Sequence, residues 1–168
     1  LFIREVIREM TVKAGQKCTA IRKAPVPRNM TGEVVTAMQA ALAKTVVGDP
    51  RTEGVRMGPL ASLAQREEVR SRVSELRQEA ELVAGDPARF EVSGADRERG
   101  AFLPRLLLLC RDGDAARAIH SVEAFGPVST IIGYRDVVDA ITLARRGEGS
   151  LAGSVFTADD KIATEVVL

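Results

Sequence analysis

The segment Leu106-Leu107-Leu108-Leu109-Cys110 is an unbroken apolar run in which no polar side chain alternates with the leucines. A strand buried on one face alternates apolar and polar residues, whereas a strand covered on both faces does not. The run therefore predicts a central strand in a sheet that lies between two layers of helices. We predict that this strand covers residues 102–110.

Helical and extended patterns alternate along the chain on both sides of this strand. Apolar residues recur at three- and four-residue spacing in several segments, and Ser62 has the capping-box spacing to Gln65. These signals predict helices at 2–13, from Thr31, after Ser62 and at 137–146, and strands at 82–85, 129–134 and 151–157. The alternation predicts an α/β fold with three layers, in which a mostly parallel sheet is flanked by helices.

Glycine and proline mark the segment between the first two helices. Gly15 is expected to end the first helix in the left-handed conformation, which glycine adopts at low cost. Pro25 and Pro27 exclude a helix in the segment that follows and suit a strand at the edge of a sheet. The residues between Gly15 and Pro25 are therefore expected to form a turn and then a short extended stretch.

The composition is typical of one globular domain. The 168 residues are 45% hydrophobic and 28% charged, with 24 basic and 23 acidic side chains and a formal net charge of +1. These values exclude a disordered or collagen-like chain, and the balanced charge predicts neither a nucleic-acid partner nor a membrane partner. No apolar run reaches the roughly 20 residues of a membrane span. Without secretory features, the two cysteines are expected to be free thiols in the cytoplasm.

The chain begins at Leu1 and ends at Leu168 within segments that have helical patterns. We therefore expect residues 1–168 to be a single domain that is part of a longer polypeptide.

Cys18 is the first candidate for chemistry. A cysteine is most often a small buried apolar residue, and this ordinary role is one interpretation. Its position favours the other, because Cys18 follows the helix-ending Gly15 between the polar residues Lys17 and Thr19. A nucleophilic thiol must be exposed, and backbone N–H groups at such a turn can hold an oxyanion. Spacing alone leaves the two interpretations open.

The other chemistry-bearing residues have structural interpretations. Cys110 ends the apolar strand and is expected to pack in the core. His120 is the only histidine, so no metal site is predicted, and a position on the surface or at a helix end is expected. The glycines at 147–153 do not have the spacing or the preceding strand of a dinucleotide-binding fingerprint. A phosphate-binding loop is not predicted either.

The segment Glu123-Ala124-Phe125-Gly126-Pro127 interrupts the alternation of helices and strands. One interpretation is a loop in which the phenylalanine fills a core position and Gly-Pro makes a turn. The other is a binding loop, because a carboxylate and an aromatic face suit a ribose diol and a flat heterocycle. Both interpretations are compatible with the residues.

Three segments stand out in this order: 13–20 (KAGQKCTA), 123–128 (EAFGPV) and 150–157 (SLAGSVFT). Together they resemble the NAD(P)-dependent aldehyde dehydrogenase superfamily, and the resemblance extends over the superfamily's catalytic domain. Residues 8–22, 47–50 and 53–60 are similar to the branch that oxidises CoA-linked semialdehydes in aerobic degradation of phenylacetate and benzoyl-CoA. In the phenylacetate route this dehydrogenase is half of a bifunctional ring-opening protein.

The resemblance implies roles for three residues. Cys18 occupies the position of the nucleophile, which forms a thiohemiacetal and then a thioester, and its backbone N–H is half of the oxyanion hole. Glu123 matches the residue that holds the nicotinamide ribose hydroxyls, and Phe125 matches the aromatic residue beside the nicotinamide. The implied cofactor is NADP or NAD, with NADP favoured by the branch. The implied substrate is a small aldehyde, CoA-linked in this branch, and the full-length protein is implied to be a homo-oligomer.

Other parts of the family's site have no matching positions in this chain. In the family, the dinucleotide-binding domain, the general-base glutamate and the asparagine of the oxyanion hole precede the nucleophile, and a further segment follows the last matched strand. We therefore expect the isolated chain to have little or no turnover. A scaffold or assembly module of the same fold is the alternative, and a thiol acyltransferase that uses Cys18 without a nucleotide is a third hypothesis.

Overall fold

The computed structural model describes residues 1–147 and 149–167. A tight turn at Val12–Gly15 and a short 3-10 segment at Arg28–Met30 accompany the regular elements. The helices are α1 (Phe2–Thr11), α2 (Thr31–Ala43), α3 (Leu63–Leu76), α4 (Ala118–Ser121), α5 (Val137–Arg145) and α6 (Asp160–Val167). The strands are β1 (Lys23–Pro27), β2 (Glu81–Ala84), β3 (Leu106–Cys110) and β4 (Val128–Tyr134).

The strands form a 4-stranded sheet in the order β1-β4-β3-β2. Strands β1 and β4 are parallel, as are β4 and β3, whereas β2 is antiparallel to β3. The sheet is therefore mostly parallel, as the sequence predicts. Strand β1, which contains the two prolines, is an edge strand. A proline lacks the N–H that donates to a neighbouring strand, and at an edge this removes fewer hydrogen bonds from the sheet.

The leucine run forms an interior strand that is covered on both faces. All residues of β3 are buried. Leu106, Leu108 and Cys110 pack in one hydrophobic cluster, with Val69 and Val73 of α3 among its members. Leu107 and Leu109 belong to a second cluster, which includes residues of α1 and α2. Because successive side chains of a strand point to opposite faces, the two clusters lie on opposite sides of the sheet, which confirms the three-layer prediction.

The structure corrects two predicted strands. Residues 151–157 contain no strand in the described part of the chain, because an extended segment needs a hydrogen-bonded neighbour and no described strand pairs with it. The strand predicted over 102–110 begins only at Leu106. Pro104 lacks the N–H that a ladder requires, so the residues before it are buried without joining the sheet.

The predicted helix over 2–13 is also too long. Helix α1 ends at Thr11, and Lys13 and Ala14 have φ values of 54° and 51°. Gly15 follows with φ 70°, which confirms its predicted left-handed conformation. Side-chain periodicity does not report these two left-handed residues, which redirect the chain before the glycine.

The predicted helical end at Leu168 lies outside the described residues, as does Glu148 within the glycine-containing segment 147–153. Of the helices in the described part of the chain, none has the length and apolar character needed to cross a membrane.

Candidate active site

Cys18 is exposed in the turn that follows α1 and the left-handed residues 13–15. The backbone N–H of Lys17 donates to Gly15 O at 2.9 Å, and the N–H of Ala20 donates to Lys17 O at 3.2 Å. We call residues 15–20 the cysteine turn. Its hydrogen bonds hold the chain in a bend that turns the Cys18 side chain towards solvent, instead of into the core.

Side chains anchor the cysteine turn to two neighbouring parts of the fold. The Oε1 atom of Gln16 accepts a hydrogen bond from the backbone N–H of Ala61 at 2.8 Å. Lys17 Nζ forms an ion pair with Glu9 Oε2 of α1 at 2.5 Å, and both side chains are half-buried. The residues directly before Cys18 are thus attached to α1 and to the segment that precedes α3.

The second predicted segment forms a loop between α4 and β4, and we call residues 123–127 the glutamate loop. Glu123 is exposed, Phe125 is half-buried, and Gly126 and Pro127 are buried. The N–H of Gly126 donates to Ala124 O at 2.7 Å, and the N–H of Val128 donates to Gly126 O at 2.8 Å. The structure therefore shows a compact turn with the carboxylate of Glu123 on its surface, and the binding role of this loop stays a prediction.

The cysteine turn and the glutamate loop touch through their backbones. A Cβ atom added to Gly15 would lie 2.1 Å from Gly126 O, a separation that no real side chain could occupy. Residue 15 must therefore be glycine for a second reason besides its φ of 70°. This contact brings together two segments that are far apart in the sequence.

Arg22 is a residue of this site to which the sequence analysis assigned no role. Its guanidinium donates from Nη2 to Gly15 O at 2.7 Å and to Lys17 O at 3.2 Å. It also donates from Nη1 to Gly126 O at 3.0 Å and from Nε to Glu123 Oε1 at 3.3 Å. Arg22 lies in the stretch that carries the resemblance, but its partners in the glutamate loop are about a hundred residues away, so local pattern could not identify them.

Cys18, Glu123 and Phe125 border one cleft of about 1020 Å³. Residues of the third matched segment, 150–157, line the same cleft, and Phe156 makes an edge-to-face contact with Phe2 at a centroid distance of 5.5 Å. All three segments that resemble the dehydrogenases therefore meet at one place. The cleft combines an exposed thiol, a carboxylate and aromatic surface.

Lys23 and His120 also line the cleft. Lys23 Nζ donates to His120 O at 3.3 Å, and burial, together with the charge of Arg146, lowers the pKa of Lys23. His120 lies in the last turn of α4, where a helix-end position was expected, and its Nε2 lies 2.9 Å from Gly113 O. Burial lowers the pKa of His120 as well, so the imidazole is kept neutral.

Cys110 is fully buried in β3, and burial raises the pKa of its thiol. The core role expected for it is confirmed. In the described residues there is no group of three or more His, Cys, Asp or Glu side chains that could hold a metal ion.

The residues of the cleft fit one end of a nicotinamide nucleotide. Glu123 is 57% exposed, and among the described residues its Oε1 accepts a hydrogen bond from Arg22 while its Oε2 has no hydrogen-bond partner. A free carboxylate oxygen can accept hydrogen bonds from ribose hydroxyls. Phe125 offers an aromatic face beside it, and Arg22 lies over that ring at 5.2 Å from its centroid.

Comparison with known proteins agrees with this class of fold. The sequence profile of the aldehyde dehydrogenase family matches residues 1–167. A 3,4-dehydroadipyl-CoA semialdehyde dehydrogenase of Aromatoleum evansii is 47% identical over 167 residues, which cover 99% of this chain and 32% of that protein. Protein MaoC of Klebsiella aerogenes is 43% identical over 113 residues, which cover 67% of this chain and 32% of that protein.

Solved structures show the same fold. Aldehyde dehydrogenase C from Pseudomonas syringae, a cysteine-to-alanine mutant in complex with NAD+ and octanal, is 29% identical with a TM-score of 0.74 and covers 86% of this chain and 28% of its own. A betaine aldehyde dehydrogenase mutant from Staphylococcus aureus, in complex with NAD+ and with a cysteine modified by BME, is 25% identical with a TM-score of 0.83. That match covers 98% of this chain and 33% of the betaine enzyme.

The fold is thus an α/β domain of the kind found in dehydrogenases whose solved structures contain NAD+. The chain belongs to the aldehyde dehydrogenase family. It spans about a third of the length of the curated relatives that it matches.

Proposed function

We propose that this chain is the catalytic portion of an aldehyde dehydrogenase that oxidises a CoA-linked semialdehyde to the acid with NAD(P). The observation that carries the proposal is the placement of Cys18, which is exposed in an anchored turn at the cleft that Glu123 and Phe125 also border. The semialdehyde dehydrogenase of Aromatoleum evansii, at 47% identity, supports the substrate class. The resemblance of this chain to the branch of phenylacetate and benzoyl-CoA degradation supports a role in aromatic catabolism.

In the proposed reaction, Cys18 Sγ attacks the aldehyde carbon and gives a thiohemiacetal. The developing oxyanion is stabilised by the backbone N–H of Cys18, since a fixed N–H in an ordered turn needs little reorganisation. Loss of hydride from the same carbon, and of the hydroxyl proton, leaves a thioester on Cys18. Water then cleaves the S–C bond, which releases the acid and restores the thiol.

The nucleotide would be held at its ribose by Glu123 and beside its ring by Phe125. NAD(P), when bound, accepts the hydride. The resemblance to the phenylacetate branch favours NADP, whereas the two similar solved structures contain NAD+. Initial rates with each nucleotide distinguish the two, and a preference for NADP is the expected result.

We also propose that residues 1–168 are one catalytic domain that acts together with parts outside this chain. The bulk of the nucleotide-binding surface, the general base and the second oxyanion donor would belong to those parts. The chain's span of about a third of its relatives is compatible with this arrangement. The isolated chain is expected to bind or turn over substrate weakly in comparison with the complete enzyme.

Substitution of each cysteine tests the proposal in the complete enzyme, with reduction of NAD(P) by a CoA-linked semialdehyde as the assay. Cys18→Ala should lower kcat by at least about a thousandfold, since removing a nucleophile closes the covalent route. Cys110→Ala is the matched control, because the buried Cys110 lies outside the cleft lining. It should reduce stability and leave kcat nearly unchanged. Full activity of Cys18→Ala would refute the mechanism, because the reaction would then proceed without the Cys18 thiol.

A further inference from the structure

We propose that Arg22 is a positioning residue that couples the cysteine turn to the glutamate loop, so that the nucleophile and the ribose-binding carboxylate keep a fixed separation. The inference rests on the proposed function, because it assigns Arg22 a task within that site. Arg22 itself is not placed in contact with the reacting atoms.

The hydrogen bonds of Arg22 divide between the two segments. Gly15 O and Lys17 O of the cysteine turn accept from Nη2, and Gly126 O and Glu123 Oε1 of the glutamate loop accept from Nη1 and Nε. The guanidinium is planar and its donors form a rigid fork, so bonds made at both ends fix the relative position of the acceptors. One side chain thereby bridges segments about a hundred residues apart.

Each backbone carbonyl that Arg22 binds also closes a local turn. Gly15 O accepts from the N–H of Lys17, Lys17 O from the N–H of Ala20, and Gly126 O from the N–H of Val128. A carbonyl has two lone pairs and can serve both partners. Arg22 therefore stabilises the bend that exposes Cys18 and the bend that presents Glu123 at the same time.

The environment of Arg22 suits a permanent structural bond better than a surface ion pair. Its side chain is only 15% exposed, whereas that of Glu123 is 57% exposed. Burial lowers the pKa of Arg22, and the carboxylate of Glu123 opposes that shift. A buried cation must be fully satisfied, and the carbonyl oxygens and the face of Phe125 do this without consuming the second oxygen of Glu123.

The other anchors of the cysteine turn point elsewhere. Gln16 binds Ala61, and Lys17 binds Glu9 of α1. Among the described residues, Arg22 makes all the side-chain hydrogen bonds that join residues 15–22 to the glutamate loop. Without them, the two segments would be held together by the Gly15–Gly126 contact and by general packing alone.

The test compares Arg22→Met, which removes all four hydrogen bonds, with Arg22→Lys, which keeps the charge but lacks the fork. Arg66→Met is the matched control. The Arg66 side chain is 14% exposed, donates to Gly100 O at 2.8 Å and lies outside the cleft lining. Two readouts are measured in the complete enzyme: steady-state kinetics, and amide hydrogen exchange of residues 15–20 and 123–128.

Arg22→Met should lower kcat/KM by roughly 10- to 100-fold with a raised KM for the nucleotide, as expected when reacting groups are misplaced by about 1 Å. Exchange should accelerate in both segments together. Arg22→Lys should lose less activity than Arg22→Met. If the methionine variant does not fold, the kinetics and hydrogen exchange of Arg22→Lys are compared with those of the wild type instead. Arg66→Met should lower the melting temperature without changing either readout.

These measurements distinguish a failure of the Cys18 mechanism from a failure of the role proposed for Arg22. If Cys18→Ala keeps full activity, the proposed mechanism through Cys18 is wrong, and hydrogen exchange alone then judges whether Arg22 couples the segments. If Cys18→Ala is inactive but Arg22→Met behaves like Arg66→Met, the proposed function stands and the role of Arg22 is refuted. Faster exchange in only one of the two segments would also refute the coupling.

Discussion

At the scale of single residues, the site depends on positions where the backbone leaves no space for a side chain. Gly15 has φ +70°, and a Cβ there would collide with Gly126 O. The sequence predicts the first property, because a glycine after an amphipathic helix commonly takes the left-handed conformation. The second property arises from a contact between residues 111 positions apart (126 − 15).

Gly15→Ala separates these two effects when it is compared with Gly54→Ala. Gly54 has φ +82° and open space around its would-be Cβ, so alanine there should cost about 1–2 kcal/mol for the left-handed conformation alone. Gly15→Ala should cost at least about 3 kcal/mol, because it must also displace the glutamate loop. Chemical denaturation measures both free energies of unfolding. Equal losses in the two variants would show that the close backbone contact does not exist in solution.

Residue types in the sequence made Cys18, Glu123 and Phe125 candidates beside structural alternatives, and the resemblance to the dehydrogenases implied their roles. Neither indicated Arg22. An arginine directly before a strand has many ordinary uses, and the acceptors of Arg22 are mostly backbone carbonyls that carry no sequence signature. The left-handed Lys13 and Ala14 were also missed, since neither residue type favours that conformation.

At the scale of elements, hydrophobic periodicity was reliable where burial is strong. The apolar run predicts β3, and its alternate residues do enter the clusters on opposite faces of the sheet. Periodicity failed for 151–157, whose side chains are mostly exposed and whose backbone lacks a strand partner among the described residues. Strand formation depends on a neighbour, and a one-dimensional pattern does not report where that neighbour lies.

Helix α3 carries Val69, whose methyl groups would lie 2.9 Å from a Cβ on Gly126, so this helix packs against the glutamate loop. Its N-terminus is capped by Ser62, whose Oγ accepts from the N–H of Gln65 at 3.1 Å, as the sequence predicts. Ser62→Ala should therefore lower the free energy of unfolding by about 1 kcal/mol.

Ser71→Ala is the control in the same helix. Ser71 is exposed in the helix interior, where alanine has the higher helix propensity, so this change should raise stability by about 0.5 kcal/mol. Thermal unfolding of both variants measures the difference. A loss of stability in Ser71→Ala as large as that in Ser62→Ala would contradict a specific capping role.

At the scale of the whole molecule, the fold can be tested through its single histidine. Burial, opposed by the hydrogen bond to Gly113, lowers the pKa of His120 in the folded state. Nδ1 is buried and has no hydrogen-bond partner among the described residues, so a second ring proton would be unpaired. At a pH between the two pKa values, the imidazole is thus protonated in the unfolded chain and neutral in the folded chain.

The sign of the pH effect follows from this difference. Stability is fully present above the unfolded pKa, about 6.5, and is lost as the pH falls below it towards the lowered folded value. The melting temperature should therefore fall between pH 7 and pH 5.5, a range above the ordinary pKa of carboxylates. His120→Gln should flatten that part of the profile. A wild-type profile that stays level there, or that rises towards low pH, would contradict the buried neutral imidazole.

If Cys18 carries the covalent intermediate, the acylated residue can be identified directly. The complete enzyme is mixed with a CoA-linked semialdehyde and NAD(P), quenched in acid and digested, and its peptides are weighed by mass spectrometry. We predict that the peptide containing Cys18 gains the mass of the acyl group only when both substrates are present, while the Cys110 peptide stays unmodified. An acyl group on another side chain, with Cys18 left free, would contradict the account.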